Sequence, residues 1–214
     1  MDYVRLGRTG LKVSRLCLGT MVLGPWGNAD PDDCTRIIQK ALDEGINFID
    51  TANRYGRGES ETLIGNALVG RREEAVVATK VFMPGMGGVL DRGTSRRHIM
   101  LQVEESLRKL RTDWIDLYQI HRTDPDTPLD ETLGAMTDLV RQGKVRYIGV
   151  STGSQAESRS MHFPGWRMVE SLWLSERGHL ERFISTQPPY SILTREAERE
   201  IFPVCLAHGF GALV

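Results

Sequence analysis

Short apolar runs alternate along the chain with longer segments whose apolar residues recur at helical spacing. An opening hairpin is predicted from residues 3–6 and 12–14, with its turn at Arg8-Thr9-Gly10. The apolar runs predict strands at residues 15–19, 47–50, 75–79, 115–121, 145–151 and 183–187, and a further strand that begins at residue 211. The chain is therefore predicted to consist of regularly alternating strands and helices.

The segments between these strands carry helix signals at their ends. Asp30 followed by Pro31 is a typical start, because a carboxylate can cap the first turn and proline fits inside it. Gly45 is a typical stop, Ser60 is predicted to cap the second helix, and Pro203 is predicted to bend the sixth. The predicted helices span residues 30–45, 60–68, 95–110, 129–142, 165–175 and 194–208.

Single helices between successive strands predict a parallel sheet with right-handed crossovers. An open doubly wound sheet and a closed TIM (β/α)8-type barrel both fit this alternation, and the opening hairpin suits the bottom of a barrel. The pattern contains six complete strand–helix units and the start of a seventh strand. A full barrel takes about 250 residues. If the fold is a barrel, it is expected to be incomplete, one domain over residues 1–214 that lacks the last strand–helix units.

Composition narrows the classes of function. Hydrophobic residues make up 40% of the chain and charged residues 26%, which is typical of a soluble globular protein. The net charge of −1 gives no electrostatic signal for nucleic acid or for an anionic membrane. No apolar run approaches the roughly 18 residues of a membrane helix, and the N-terminus lacks the pattern of a secretion signal. The three scattered cysteines suit free, buried thiols in a reducing cytoplasm.

Four polar residues stand at the ends of the predicted strands. Asp50, Lys80 and His121 each follow or end an apolar run, and Tyr55 lies in the loop just after Asp50. The carboxyl ends of parallel strands meet at one edge of a sheet, here called the rim, so these four side chains are expected to lie together. A carboxylate, a phenol, an ammonium and an imidazole at one place form an acid–base site.

This set of groups suits the reduction of a carbonyl. No side chain donates hydride, so a nicotinamide cofactor is needed, and a phenol can supply the proton. A free phenol has a pKa of about 10, which a neighbouring ammonium lowers. Lys80 would supply that ammonium, Asp50 would hold it, and His121 would orient the substrate oxygen or share in proton transfer. Taken singly, each residue could instead be a turn cap, a structural ion pair, a loop histidine or a surface aromatic.

Several stretches of the chain resemble the aldo-keto reductases, in a style closest to their bacterial and potassium-channel-β-like branch. The similarity covers nearly the whole chain. It rests on the stretches GINFIDTANRYG (45–56), GESE (58–61), LIG (63–65), ATK (78–80), DWIDLYQIHR (113–122), PLDETL (128–133) and GKVRYIGVS (143–151).

The resemblance implies a TIM-type barrel and a catalytic tetrad that falls on Asp50, Tyr55, Lys80 and His121, with Tyr55 as the general acid. It also implies NADP(H) as the cofactor, with NAD(H) as the alternative. Thr152 stands where the family commonly has asparagine. By position, the expected cofactor contacts are Gly19, Thr20, Asp50, Ser151, Thr152 and Gln187.

Other features of the loops bear on binding. Trp26 and Phe82 are candidate walls of a substrate pocket, or simply cover the top of the barrel. The glycine-rich stretch 84–88 lacks the strand and helix of a dinucleotide fingerprint and is interpreted as a loop. No metal site is expected, because the histidines show no paired ligand spacing. The histidines are His98, His121, His162, His179 and His208.

The expected activity is NAD(P)H-dependent reduction of a small aldehyde or ketone to an alcohol. Members of the resembled family continue beyond the seventh strand with parts that grip the cofactor, so the chain is also interpreted as a truncated reductase that is inactive alone or complemented by a C-terminal segment. A regulatory module that binds cofactor without turnover, and a Schiff-base lyase that uses Lys80, are the alternatives. A further copy of the same chain, in a homo-oligomer, is the other candidate partner. Neither nucleic acid nor a membrane is an expected partner.

Overall fold

The computed structural model describes residues 1–83, 88, 90–152 and 163–214. Within them, seven strands form one parallel sheet in which spatial order follows chain order, and helices alternate with the strands. Two further strands near the N-terminus form an antiparallel hairpin. The sheet is curled as part of a (β/α) barrel, so the predicted barrel-type architecture is confirmed.

The described strands are short, and most end within a few residues of their predicted limits. The hairpin consists of β1 (Tyr3–Arg5) and β2 (Lys12–Ser14). The strands of the sheet are β3 (Cys17–Gly19), β4 (Phe48–Asp50), β5 (Val76–Val81), β6 (Ile115–Ile120), β7 (Val145–Ser151), β8 (Phe183–Gln187) and β9 (Gly211–Ala212).

The helices cover the outer face of the sheet. They are α1 (Pro31–Asp43), α2 (Glu59–Ala67), α3 (Arg96–Leu110), α4 (Leu129–Arg141), α5 (Gly165–Gly178) and α6 (Ile201–His208). Short 3-10 turns lie at Tyr55–Gly58, Arg72–Glu74 and Glu196–Glu198. None of the helices in the described ranges has the length and apolar composition that crossing a membrane requires.

Two apolar clusters hold the layers together. The larger lies between the sheet and the helices and includes Ile38, Ile64, Val103 and Leu133. The smaller lies on the inner face of the sheet, where Leu6 of the hairpin region packs with inward-facing strand residues. Its buried members are Leu6, Val13, Phe48, Val76, Ala78, Leu117 and Leu213. The hairpin therefore packs across the end of the sheet opposite the rim, which leaves the rim for polar side chains.

Some predicted details were wrong. Lys80 lies inside β5, which continues to Val81, and does not follow the strand. The sixth helix starts at Ile201, so Pro203 sits in its first turn, where proline causes no bend. Cys17, expected to be buried, is exposed, because β3 pairs on only one side within the described residues.

Ser60 does not cap α2, whose N-cap residue is Gly58. Its hydroxyl is buried and donates to the carbonyl oxygen of Thr20 at 3.0 Å. It also lies 3.0 Å from the hydroxyl of Thr51. Since Thr20 follows β3 and Thr51 follows β4, Ser60 fixes the start of α2 against the ends of both strands.

A buried carboxyl group lies between α2 and the outer face of the sheet. Glu61 is 0% exposed, and its Oε1 accepts a hydrogen bond of 2.7 Å from the hydroxyl of Thr79. Its Oε2 has no hydrogen-bond partner within the described residues. Burial raises the pKa of Glu61, and the hydroxyl of Thr79 opposes that effect only in part. The folded protein therefore favours the protonated form of Glu61 more than the unfolded chain does.

Glu61→Gln is expected to become increasingly stabilising, relative to the wild type, as pH rises. A carboxyl whose folded pKa is raised contributes stability that is complete below its unfolded pKa and is lost as pH rises through its folded pKa. Glutamine removes this dependence and keeps an acceptor for Thr79. Urea unfolding of both proteins from mildly acid to mildly alkaline pH measures the difference.

Glu59→Gln is the matched control for this experiment, because Glu59 lies on the same helix with an exposed side chain. Its free energy of unfolding relative to the wild type should stay nearly constant over the same pH range. A parallel response of the two variants would show that Glu61 is not the source of the effect.

Candidate active site

A buried ion pair lies at the centre of the rim. Nζ of Lys80 donates to Oδ2 of Asp50 at 2.5 Å, and the side chains are 1% and 7% exposed. Asp50 ends β4, and Lys80 lies on the neighbouring strand β5. Charges buried to this degree need a partner, because removing either one from water without compensation is very unfavourable.

The three protons of the Lys80 ammonium all have acceptors. Besides Asp50, Nζ donates to the carbonyl oxygen of Thr51 at 2.9 Å and to the hydroxyl oxygen of Tyr55 at 3.4 Å. An ammonium has three donors and no acceptor, so these contacts use its full capacity. Lys80 is thus held as a cation that points at the phenol.

Two side-chain amides complete the surroundings of Asp50. Nε2 of Gln119, on β6, donates to Oδ1 of Asp50 at 3.2 Å. Nε2 of Gln187, at the end of β8, donates to Oδ2 at 3.3 Å. The carboxylate therefore accepts hydrogen bonds from three strands of the sheet.

Tyr55 is presented by a turn with unusual backbone conformation. Gly56, Arg57 and Gly58 follow it with φ of 57°, 62° and 90°. A side chain at position 56 would be strained by this positive φ, and its Cβ would lie 3.0 Å from Pro25. Glycine is therefore needed there. The turn brings the chain back over the end of β4, which places the phenol above the ion pair.

His121 lies beside the phenol. The rings of Tyr55 and His121 are 5.9 Å apart and nearly perpendicular, at 85°. Burial, which is the largest cause, and the positive charges of Lys80 and Arg122 together lower the pKa of His121 to about 3. At neutral pH the imidazole is therefore uncharged. A neutral imidazole carries one N–H donor, and Nδ1 is buried without a partner in the described residues.

The expected cofactor residues lie along the same rim. Thr20 is buried, and its hydroxyl donates to the backbone oxygen of Asp50 at 2.9 Å, while Gly19 is the register partner of Asp50. Ser151 and Gln187 are register partners at the ends of β7 and β8. The amide of Thr152 donates to the backbone oxygen of Gln187 at 3.1 Å. Asp50 itself ends β4, and the other five expected positions therefore lie at the ends of β3, β7 and β8.

The two predicted pocket residues have different surroundings. Trp26 is 47% exposed, and its ring lies 6.4 Å from that of Tyr55, tilted by 59°. Phe82, which follows β5, is only 3% exposed. Trp26 therefore borders the phenol from the solvent side, whereas Phe82 is packed beneath the surface.

Some predictions fall outside the described residues. The structure does not describe residues 84–87 and 89, which include most of the glycine-rich stretch. It also does not describe residues 153–162, which include His162. Among the residues that the structure describes, no group of three His, Cys, Asp or Glu side chains is arranged to hold a metal ion.

Sequence reasoning selected the four residues that meet at the rim but missed Gln119. A signal was available: Gln119 is a polar residue inside an apolar strand, two positions before His121, and therefore on the same face of β6. Asp50 lies 69 positions earlier in the sequence, on β4. The amide of Gln119 reaches it because β5 pairs with both β4 and β6. Sequence spacing alone does not show that contact.

The arrangement can deliver a proton from the hydroxyl oxygen of Tyr55. A phenol that faces an ammonium can release its proton, since the neighbouring charge stabilises the phenolate. Asp50 balances the ammonium, and neutral His121 can donate a hydrogen bond to the same acceptor that takes the proton. These groups are suited to stabilising charge that develops on a substrate oxygen.

Comparison with known proteins gives a consistent result. Residues 15–214 match the sequence profile of the Aldo/keto reductase family. The chain is 42% identical to the oxidoreductase YrpG of Bacillus subtilis, with 100% of this chain and 65% of that protein covered. It is 38% identical to the aldo-keto reductase YhdN of the same organism, with 95% and 58% covered. It is 35% identical to versiconal hemiacetal acetate reductase of Aspergillus parasiticus, with 98% and 65% covered. The chain thus spans less than two thirds of the length of these relatives.

Proposed function

Since the chain belongs to the aldo/keto reductase family, we propose that it acts as an NAD(P)H-dependent oxidoreductase that reduces an aldehyde or ketone to an alcohol. In this proposal Tyr55 is the proton donor, and Asp50, Lys80 and His121 support it. NADP(H) is the preferred cofactor, with NAD(H) as the alternative.

One observation carries the proposal. The Lys80 ammonium, buried and paired with Asp50 at 2.5 Å, also lies 3.4 Å from the hydroxyl oxygen of Tyr55. A structural ion pair would need no phenol at this place. The contact gives the charge a chemical use, because it stabilises the phenolate that remains after proton transfer.

The proton step follows from this contact. As the carbonyl carbon is reduced, negative charge develops on the carbonyl oxygen, and the Tyr55 hydroxyl transfers its proton there. A new O–H bond forms on the product alcohol, and the phenolate stays next to Lys80. The positive charge of Lys80 is already in place before the reaction, so little reorganisation is needed.

His121 is assigned a different role from Tyr55. Its pKa of about 3 means that no imidazolium is present at neutral pH to serve as the acid. A neutral imidazole can still donate a hydrogen bond to the substrate oxygen and fix the direction from which the oxygen meets Tyr55. Of the two roles considered for His121, orientation is therefore the better supported.

The residues at the rim suit the carboxamide of a nicotinamide. Oε1 of Gln187 is buried without a partner in the described residues, although its amide nitrogen is used by Asp50. Such an oxygen is an acceptor for an amide N–H. The hydroxyl groups of Ser151 and Thr152 both donate to the backbone oxygen of the same residue, Gln187, at 3.4 Å. We assign these three residues to hold the carboxamide. When bound, the reduced nicotinamide supplies the hydride.

Cofactor and carbonyl should both be required for turnover. The purified 214-residue chain is expected to bind NADPH, measured by quenching of tryptophan fluorescence. It is then expected to oxidise NADPH only when an aldehyde or ketone is present, measured by absorbance over a panel of carbonyl compounds. Parallel titrations with NADH show the cofactor preference.

Other outcomes would point to the alternatives. A 214-residue chain that neither binds NADPH nor turns over would favour a reductase that is inactive alone and needs a complementing C-terminal segment. Cofactor binding without carbonyl-dependent oxidation would contradict the reductase proposal and favour a regulatory module. Trapping of a carbonyl compound on Lys80 by borohydride would favour a Schiff-base lyase. The structure is unfavourable to the latter, because an amine that is held as an ammonium by Asp50 is not a nucleophile.

A further inference from the structure

We propose that Gln119 is a positioning residue that fixes the Asp50 carboxylate, and through it the Lys80 ammonium, for proton delivery by Tyr55. The effect on catalysis rests on the proposed reductase function, whereas the effect on the geometry of the pair does not. Gln119 does not itself reach the phenol.

The position of Gln119 in the sheet makes the contact with Asp50 direct. Gln119 is the register partner of Lys80 across the β5–β6 pair, and its side chain is 0% exposed. Its Nε2 passes over β5 to reach Oδ1 of Asp50 on β4, at 3.2 Å. Because a carboxylate only accepts hydrogen bonds, the amide nitrogen must be the group that faces it.

The two oxygens of Asp50 have different donors. Lys80 and Gln187 both donate to Oδ2, while Gln119 donates to Oδ1. A donor on each oxygen fixes the rotation of the carboxylate about its Cβ–Cγ bond. Without Gln119, the donors in the described residues act on Oδ2 alone, and the plane of the carboxylate is free to turn.

The orientation of Asp50 determines where the ammonium lies. Nζ of Lys80 is 2.5 Å from Oδ2 and 3.4 Å from the Tyr55 hydroxyl oxygen. A turn of the carboxylate moves Oδ2 and draws Nζ with it. Small displacements at this distance weaken the stabilisation of a phenolate, because the interaction depends directly on the separation of the charges.

The surroundings of Gln119 indicate that an amide is retained there for a reason other than packing. Its Oε1 is buried and has no hydrogen-bond partner in the described residues, which is unfavourable for stability. Gly149 on β7 leaves the space for the side chain, since a Cβ there would lie 3.3 Å from Cγ of Gln119 and 2.6 Å from Oγ of Ser185. An apolar side chain would fill this space without a buried unpaired oxygen.

The first test replaces the amide without changing its shape. Gln119→Met keeps the length of the side chain and removes the donor. We expect kcat to fall about tenfold, the size of one hydrogen bond to a charged group, with the KM for the carbonyl substrate changed less than about twofold. Gln39→Met is the matched control, because the Gln39 amide donates at 3.4 Å to the backbone oxygen of Ala67 on the outside of the sheet. Its kcat should equal that of the wild type.

The second test restores the donor only at low pH. In Gln119→Glu, a protonated carboxyl can donate its O–H to Oδ1 of Asp50, but an ionised one repels it. The ratio of kcat for this variant to kcat for the wild type is expected to fall as pH rises from about pH 5 to about pH 8. Groups that face position 119 or the pair are Cys17 on β3, Asp50 on β4, Tyr55 in the turn, Lys80 on β5, His121 after β6 and Gln187 on β8. Both proteins contain all of them, so the ratio isolates the new carboxyl.

A third measurement does not depend on turnover. Crystal structures of the two variants show where the pair lies. In Gln119→Met the Asp50 carboxylate should be turned, and Nζ of Lys80 should be displaced from its wild-type distance of 3.4 Å to the Tyr55 hydroxyl oxygen. In Gln39→Met neither group should move.

These outcomes separate the two proposals. A wild type that binds cofactor but does not reduce carbonyl compounds would overturn the reductase function, and the positions of Asp50 and Lys80 in the Gln119→Met structure would still test Gln119. A Gln119→Met variant that keeps kcat within twofold of an active wild type would overturn the positioning role, and so would a Gln119→Met structure in which the Asp50 carboxylate and the Lys80 ammonium keep their wild-type positions. A Gln119→Glu ratio that is independent of pH would overturn it as well.

Discussion

Replacing Tyr55 by phenylalanine is expected to lower kcat by about 10²- to 10⁴-fold, the usual contribution of a positioned general acid. The substitution removes only the hydroxyl oxygen, which lies 3.4 Å from Nζ of Lys80. The ring remains beside His121, and the Asp50–Lys80 pair keeps its other contacts. The fold and the cofactor affinity should therefore change little, and carbonyl-dependent oxidation of NADPH measures the loss.

Tyr3→Phe is the control for this prediction. Tyr3 also loses one hydroxyl, which donates to the backbone oxygen of Gly45 at 3.0 Å, but it lies on β1 at the opposite end of the sheet. Its kcat should match that of the wild type. If Tyr55→Phe retains more than about a tenth of the wild-type kcat, another group donates the proton and the role of Tyr55 must be reassigned.

Local signals predicted several elements well, because the chemistry that forms them is local. The carboxylate of Asp30 caps α1 by accepting from the amides of Asp32 and Asp33, as the Asp-Pro pair indicated. Likewise, β7 and β8 have the limits that their apolar runs predicted. In each case the residues that determine the boundary lie within a few positions of it.

The wrong predictions concern residues whose contacts are distant in sequence. Ser60 has the composition of a cap, but its hydroxyl bonds to Thr20, 40 positions away. The carbonyl oxygen of Thr20, which is close in space but distant in sequence, therefore determines the role of Ser60. The same applies to β5, which continues through Lys80 because β6 pairs with it up to Val81. Tertiary pairing extended the strand where the charged residue suggested an end.

The residues that meet at the rim could be predicted from the sequence, but their contacts could not. Strand ends and parallel topology placed Asp50, Lys80 and His121 together, since each belongs to a neighbouring strand. The pattern could not give the order of contacts within the group. Those contacts depend on side-chain geometry that no spacing rule specifies. Lys80 donates to Asp50 and also reaches Tyr55, and Gln119 donates to Asp50 from a third strand.

In the proposed reaction, the same geometry gives different roles to Tyr55 and His121, the two groups that would flank the substrate oxygen. The charge of Lys80 faces both, but with opposite consequences. It stabilises the anionic form of Tyr55, and it disfavours the cationic form of His121, whose pKa falls to about 3 chiefly through burial. In the proposed reaction the ammonium thus stabilises the phenolate that remains after proton transfer, and its charge adds to the burial that keeps the imidazole a neutral hydrogen-bond donor.

Lys80→Met is expected to abolish measurable turnover and to destabilise the fold by about 3–5 kcal/mol. The substitution leaves the Asp50 carboxylate, which is 5% exposed, without the cation that compensates its charge. Gln119 and Gln187 still donate to it, but neutral amides do not balance a buried charge. Urea unfolding measures the stability, and the loss should shrink at low pH, where an unpaired buried carboxyl takes up a proton.

A second substitution separates the two effects of Lys80. Asp50→Asn combined with Lys80→Met removes the uncompensated charge and keeps an oxygen that can accept from the amide of Gln119. We expect the double variant to recover most of the lost stability, because replacing both members of a buried pair is far less harmful than removing one. Turnover should not return, since no ammonium then faces Tyr55. A double variant as unstable as Lys80→Met would show that the ion pair is not what the fold depends on at the rim, and a double variant with restored turnover would remove Lys80 from the proton-delivery scheme.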